Sequence, residues 1–373
     1  MNSFGNKFKV SIFGESHGPL VGVTVDGVLP GLPLTPVHFR EDLARRRAGA
    51  PGTTSRREAD VPEIVSGVYE GRTTGAPITL FFHNEDIRPE DYEQVSRNPR
   101  PGHADFAARL KYSGFNDPRG GGHFSGRLTV GIVAAGVIAK RMLYFARFQA
   151  ALKEVGGLTD PQAWKPALEA AQADGDSLGA VVECTVEGLP VGLGEPFWNS
   201  VESMVSHAIF AIPGVRGIEF GDGFHAAAMR GSEHNDPFPE HQCCHGEGHH
   251  HDEEHHCCHG EGHHHDEEHH CCHGEGHHHD EEHHCCHGEG HHHEEGHHCC
   301  GHHKRPLLPL TNHAGGVNGG LTNGNPLVFR VAFKPTSSIA KAGTGGRHDV
   351  CFALRTPVIV EAMAAIVLTD LVL

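Results

Sequence analysis

Apolar and polar positions alternate at the start of the chain. Phe8, Val10 and Ile12 are separated by polar residues, and this period of two predicts a strand running into Gly14-Glu15-Ser16-His17-Gly18. Val21 to Val28 reads as a second strand, closed by a Pro30-Gly31 turn. The pattern then changes: Thr35-Pro36 places a capping residue before a first-turn proline and predicts a helix through Arg45, Arg46 and Arg47. Leu128 to Leu143, with Ile132, Val133, Ala135 and Ile138, is apolar nearly all round, which predicts a helix buried on several sides. Thr356-Pro357 repeats the start signal, and Val360, Met363, Ala364, Val367, Leu368 and Leu371 follow at helical spacing. Strands and helices come in small groups, which gives an α/β or α+β architecture with buried helices.

The pattern fails between His241 and His303. That segment holds 27 of the 37 histidines, 10 of the 12 cysteines and 15 acidic residues, with no Lys or Arg. The net charge of −17 therefore divides into −15 here and −2 elsewhere. Cys-Cys-His recurs at 243–245, 257–259, 271–273 and 285–287, a period of 14. No unit has an apolar face to stack, so burial cannot offset the entropy of ordering, and the repeat is expected to be disordered without metal. Dense imidazole and thiolate suit zinc, nickel, cobalt or copper. The candidate ligands are Cys243, Cys244, His245, Cys257, Cys258, His259, Cys271, Cys272, His273, Cys285, Cys286 and His287. Adjacent Cys-Cys pairs differ from structural zinc spacing and suggest buffering. A repeat expanded by replication slippage, binding metal adventitiously, is the alternative.

The other 310 residues are nearly neutral and can bury a sizeable core, so the expectation is one domain, 1–373, interrupted by an insert at 241–303. With no basic tail or basic-aromatic patch, nucleic acid is not an expected partner. No apolar run approaches the roughly 20 residues of a membrane span, and Met1 to Gly14 is too polar for a secretory signal. Only Cys184 and Cys351 lie outside the insert, against a disulfide framework. A soluble, cytoplasmic protein is expected.

Candidate chemistry gathers in four loops: Gly14–Gly18, Arg100–Asp105, Arg119-Gly120-Gly121-Gly122-His123-Phe124-Ser125-Gly126-Arg127, and Gly346-Arg347-His348-Asp349. A glycine-rich loop opening a helix can cradle phosphate through backbone N–H groups. Arg46, Arg47, Arg100, Arg127 and Arg347 lie in or beside these loops, and Arg suits bidentate capture of phosphate and carboxylate. Each feature has a plainer reading (tight turns, solvated charges, hydrogen-bonding loop histidines). Together they reach an enzyme for an anionic, phosphorylated small molecule.

These motifs resemble the chorismate synthase family. The resemblance rests on Phe4-Gly5-Asn6 through Gly18, Arg100–Asp105 with Arg119–Gly122, Gly217–Phe224, Asn312–Gly316, Lys334–Ser338, and Gly346–Asp349 with the helix from Pro357 to Leu371. It implies an α+β sandwich of helices between antiparallel sheets. It also implies overall 1,4-elimination of phosphate from 5-enolpyruvylshikimate 3-phosphate, giving chorismate in the shikimate pathway of aromatic amino acid biosynthesis. The family requires reduced FMN without net oxidation. A homotetramer is a further implication; an external flavin reductant is expected beside it, with NADP as an associated cofactor.

Carried over by position, His17 would protonate the departing phosphate, His103 would stabilise reduced FMN, and Asp349 would assist removal of the ring proton with the flavin. Ser16, Arg46, Arg100, Ser125, Arg127 and Arg347 would bind substrate. FMN contacts map to His123, Phe124, Ser125, Pro213, Gly214, Gly319, Lys334, Pro335, Thr336, Ser337, Ser338 and Arg347. The chain departs from the pattern where His123 replaces a frequent Arg and Val350 a usual proline. An arginine expected after Arg47 is missing, and Arg56 or Arg57 would stand in for it. A metal-storage protein reusing the scaffold and a synthase regulated by insert metal are the rival readings, and retention of His17, His103 and Asp349 favours the synthase.

Overall fold

The computed structural model describes residues 2–88, 98–239, 308–343 and 348–373. The chain divides into two units, Met1–Pro237 with Thr311–Leu373, and Phe238–Leu310. The first is described below. Arg347 and the twelve candidate metal ligands of the repeat lie outside the described residues.

Five strands form the first antiparallel sheet: β1 (Ser3–Phe4), β2 (Lys9–Gly14), β3 (Leu20–Asp26), β4 (Glu63–Ile64) and, after a hairpin of β5 (Val68–Tyr69) and β6 (Arg72–Thr73), β7 (Ile78–His83). Their order is β1-β2-β3-β7-β4. The second sheet has β8 (Arg147–Val155), β9 (Ala180–Glu187), β10 (Val215–Phe220) and, beyond a hairpin of β11 (Val317–Asn318) and β12 (Leu321–Thr322), β13 (Leu327–Phe333). Its order is β10-β13-β9-β8, antiparallel throughout.

The helices are α1 (Arg40–Arg46), α2 (Asp105–Lys111), α3 (Thr129–Met142), α4 (Pro161–Ala173), α5 (Val201–Ile209), α6 (Gly231–His234) and α7 (Pro357–Val372). α3 packs on β3, α7 packs on β8 and β9, and the two helices pack on each other. The order is therefore sheet, helices, sheet, as the α+β expectation required. The helices approach closely at Gly136, where an added Cβ would lie 2.3 Å from Ala362 Cβ.

The alternating segments form β2 and β3 in register, with Val10 opposite Val25 and Ile12 opposite Val23. β3 stops at Asp26, short of Val28, because the Asp26 carboxylate accepts from the Gly27 N–H at 2.8 Å and turns the chain. The helix expected from Thr35 opens as a 3-10 turn, Pro36–Phe39, before α1. Thr356 does not cap α7 with its side chain; its hydroxyl donates to the Ala353 carbonyl at 3.0 Å instead.

α7 is buried all round from Val358 to Asp370. Its two buried acids pin neighbours to it. Asp370 accepts from the backbone N–H groups of Asn6, Lys7 and Phe8 (2.6–3.0 Å). Glu361 accepts from Arg45 (2.6 and 2.8 Å), Lys140 (2.7 Å) and the Ala150 N–H (2.9 Å).

Cys184 and Cys351 are buried thiols, and burial pushes both above the usual thiol range. No helix among the described residues is long and apolar enough to cross a membrane. Where the repeat departs and returns, Asp236 accepts from Thr311 Oγ1 (2.6 Å), the His313 N–H (2.8 Å) and the Ala314 N–H (3.0 Å). The two ends of the first unit are thus tied to each other independently of the repeat.

Candidate active site

The loops singled out in the sequence converge. Between the strap that follows α1, the loop entering α2, the glycine loop entering α3, and the segments after β13 and before α7 lies a cavity of about 870 Å³. That is within the roughly 300–1,000 Å³ range of small-molecule and cofactor sites. Among the described residues, eight arginines and Lys334 line it, against three acids, Glu58, Asp60 and Asp349. Such an excess of cations in a concave wall focuses positive potential on an anionic ligand.

The glycine loop brings the two histidines together. Gly120 and Gly121 both have positive φ, 59° and 84°, a conformation side chains with a Cβ adopt rarely. Space forbids a side chain as well. That holds at Gly120, where a Cβ would lie 2.3 Å from His17 Nδ1; one on Gly121 would press on the His103 ring at 3.2 Å. His17, 4% exposed, therefore sits behind Gly120, while Ser16 and His103 line the cavity itself. Gly120→Ala is expected to displace the His17 ring, abolishing most turnover while the circular dichroism spectrum stays that of the parent; unchanged turnover would mean that the ring's position is immaterial.

His103 is oriented by Asp105, its Nδ1 2.6 Å from Asp105 Oδ1. Arg100 forks onto the same carboxylate, from Nε to Oδ2 at 2.7 Å and from Nη2 to Oδ1 at 2.8 Å. Burial pushes the Asp105 carboxyl up, but hydrogen bonds from Arg100 and His103 outweigh it and hold the group far below the usual carboxylate range. Asp349 is oriented in the same manner: Arg355 donates to both oxygens (3.2 and 2.8 Å) and the Thr54 N–H donates to Oδ1 at 2.9 Å. The Arg355 guanidinium stacks over Phe352 at 4.8 Å from the ring centroid.

The arginines expected to clamp substrate are already engaged. Arg46 donates to Thr129 Oγ1, Asp60, and the carbonyls of Gly126 and Arg127 (3.0–3.1 Å). Arg127 pairs with Asp60 and donates to Asn84 at 2.8 Å. Arg100 adds Ser338 to its Asp105 fork. Arg56 enters next to Ser16, donating to its hydroxyl at 2.8 Å and its carbonyl at 2.9 Å. Arg57 also lines the cavity but is exposed, and its N–H donates to Asp86. Of the two possible stand-ins, Arg56 is therefore the one joined to the His17 loop.

The expected cofactor residues mostly gather here. His123 stacks on Phe124 with ring centroids 4.3 Å apart, beside Ser125, whose hydroxyl accepts from the Arg127 N–H. Pro213 and Gly214 line the cavity, as do Lys334, Pro335, Thr336, Ser337 and Ser338, and the Gly214 carbonyl accepts from the Lys334 N–H at 2.9 Å. Gly319 does not join them. It sits in the β11–β12 turn, which backbone hydrogen bonds tie to Leu193 and Val201, and it is not part of the cavity wall.

Glu58, Asp60 and Arg355 escaped the sequence reading, and Asp105 stood in a candidate loop without a role of its own. The charged string Arg56-Arg57-Glu58-Ala59-Asp60 was the available signal, but alternating charge is normally a solvated face.

Fold and site define the class: an α+β enzyme whose loops enclose one cationic, glycine-walled cavity. The chorismate synthase family model matches residues 8–255 and 273–373. A chorismate synthase of Chitinophaga pinensis is 48% identical, with 100% of this chain and 97% of the relative covered. One of Aeropyrum pernix is 39% identical, with 100% and 93% covered. A crystal structure of chorismate synthase superposes with a TM-score of 0.66 at 22% identity, covering 99% of this chain and 92% of that one, which supports the fold. The chain belongs to the chorismate synthase family, lyases of aromatic biosynthesis.

Proposed function

We propose that the protein converts 5-enolpyruvylshikimate 3-phosphate to chorismate and phosphate by overall 1,4-elimination, with reduced FMN bound in the same cavity. The observation that carries this reading is the gathering of Ser16, His103 and Asp349 on the wall of a cationic cavity, with His17 directly behind Gly120 of that wall. Atoms balance without net oxidation: the carbon–oxygen bond to phosphate breaks, a ring proton leaves, and the C–H electron pair enters the new π system.

His17 delivers a proton to the leaving phosphate oxygen, a task imidazole performs near neutral pH. Asp349, fixed by Arg355 and the Thr54 N–H, assists departure of the ring proton. His103, fixed by Asp105, holds a proton for the anionic edge of the reduced flavin. The donor set fits FMN: the stacked His123–Phe124 pair offers a flat face, and Lys334 with Ser337 and Ser338 offers phosphate donors. When bound, reduced FMN supplies transient electron donation to the substrate. An external reductant, a cytoplasmic location and a homotetramer belong with this assignment; for self-association alone, the exposed Trp198 and Phe197 offer apolar surface that another copy would cover.

Anaerobic turnover with chemically reduced FMN, following chorismate absorbance and phosphate release, tests the assignment. Turnover that vanishes with oxidised FMN supports it; folded, FMN-binding protein that releases no phosphate overturns it.

The repeat at 241–303 is an accessory that binds zinc, nickel, cobalt or copper. Deletion of 242–303 is expected to leave turnover in metal-free buffer within about twofold of the parent, since loop length costs closure entropy only logarithmically and Asp236 already joins the two ends. Loss of activity on clean deletion would make the repeat part of the working site. Metal titration of both proteins is expected to show tight binding in the parent alone.

A further inference from the structure

The cavity wall holds an anion of its own. Asp60 is 4% exposed and lies between two buried guanidinium groups: Oδ2 accepts from Arg46 at 3.1 Å and Oδ1 pairs with Arg127. Its backbone is left-handed, with φ 50°, a conformation unusual for a residue with a side chain and one that Asp tolerates better than most. Two residues earlier, Glu58 pairs with Arg56 at 2.7 Å and lies 4.0 Å from Arg127. Arg56 in turn holds Ser16, next to His17. Charges thus alternate without interruption from Arg46, beneath the start of α3, through Asp60, Arg127, Glu58 and Arg56 to the His17 loop.

Arg46, Arg127 and Arg56 could not stand this close in a buried wall without intervening anions, because like charges repel strongly where water is excluded. Burial pushes Arg46 down to about 9, Asp60 opposes this, and Arg355, Arg127 and Arg56 push the same way as burial. A guanidinium nevertheless remains charged at neutral pH.

We infer that Asp60, backed by Glu58, is a resident counter-ion that positions Arg46, Arg127 and Arg56. It is a positioning residue, and the inference rests on reading this cavity as the site of a phosphorylated carboxylate. Asp60 keeps the arginines charged, spaced and aimed before ligand arrives, so an incoming anion meets a preorganised wall. Removing the carboxylate leaves an uncompensated buried cation that recruits an anion from solution.

The test uses the full chain, Asp60→Asn, and inorganic phosphate as the probe at fixed ionic strength. The thermal midpoint of Asp60→Asn is expected to fall in phosphate-free buffer and to rise with phosphate by more than the parent's does. A merely structural carboxylate would lower the midpoint without adding this anion response. A phosphate shift no larger than the parent's overturns the inference. Should Asp60→Asn not fold, Glu58→Gln is judged by the same criterion. Parent turnover of 5-enolpyruvylshikimate 3-phosphate with no added phosphate response in the variants sinks the counter-ion alone. A phosphate-responsive variant of a parent that does not turn over sinks the reaction assignment alone.

Discussion

Replacing His17 by alanine is expected to slow phosphate release by about 10²- to 10⁴-fold, the range a positioned general acid contributes, with KM changing much less. The expectation follows from where the ring is held. His17 is buried behind Gly120, and Ser16 beside it is gripped by Arg56 at both hydroxyl and carbonyl. A group held so tightly serves the transition state better than ground-state binding, so its loss appears in kcat. The measurement is single-turnover phosphate release under anaerobic conditions, with circular dichroism confirming the fold. The pH profile sharpens it: an acid must be protonated, so the parent's rate falls as pH rises through the acid's pKa, and that limb should disappear in His17→Ala. A rate within about threefold of the parent, well below the contribution of a general acid, would remove His17 from the chemistry and leave protonation of phosphate to another group.

The second large effect lies away from the cavity. Glu361→Ala is expected to cost about 3 kcal/mol, the lower end of the penalty for breaking a buried ion pair from one side, because Asp42 still pairs with Lys140 and Arg45. Glu361 is 1% exposed on α7 and accepts from Arg45 of α1, Lys140 of α3 and the Ala150 N–H of β8. Its removal leaves Lys140 with Asp42, at 2.8 Å, as its acid partner and frees the Ala150 N–H. Urea unfolding of parent and variant measures the loss; a difference under about 1 kcal/mol, the range of a surface pair, would show that the cluster behaves as an exposed one.

The acid dependence has a definite sign. Burial pushes the Glu361 carboxyl up, but Arg45 and Lys140 outweigh it and hold the group below its ordinary value of 4.5. A carboxyl depressed in the folded state contributes stability that is fully present above that ordinary value and is lost as pH falls through the folded one. The parent should therefore lose stability below about pH 4.5, and Glu361→Ala should lose less over the same interval. Arg46 follows Arg45 on α1, so the same cluster fixes the rotation of the helix that delivers Arg46 to the cavity wall.

Much of this protein was legible in the sequence because the relevant information is local. The period of two set β2 and β3, since one pleated face had to meet a core. The all-round apolar stretch set α3 as an interior helix, because no polar face remained to meet water; α7 was legible as a helix from its apolar spacing, while its burial on every side, Glu361 and Asp370 included, was decided by the fold. The glycine, histidine and arginine loops, together with their family resemblance, pointed to the site residues. The repeat also declared itself by composition alone.

The charge bookkeeping of the site was decided only by the tertiary structure. Whether Arg46, Arg100 and Arg127 face a ligand or a protein acid depends on which chain segments pass beside them, and Asp60 meets Arg127 across 67 positions. The choice of Arg56 over Arg57 to hold Ser16 is likewise a contact between loops 40 residues apart. Gly319, mapped to the flavin contacts by resemblance, lies outside the cavity lining, in a hairpin whose partners are distant in sequence. Pattern along a chain records what each residue prefers to meet, water or core. Pairing of buried charges is a property of the assembled fold, because it requires a specific partner at hydrogen-bond distance, and no local period encodes which one.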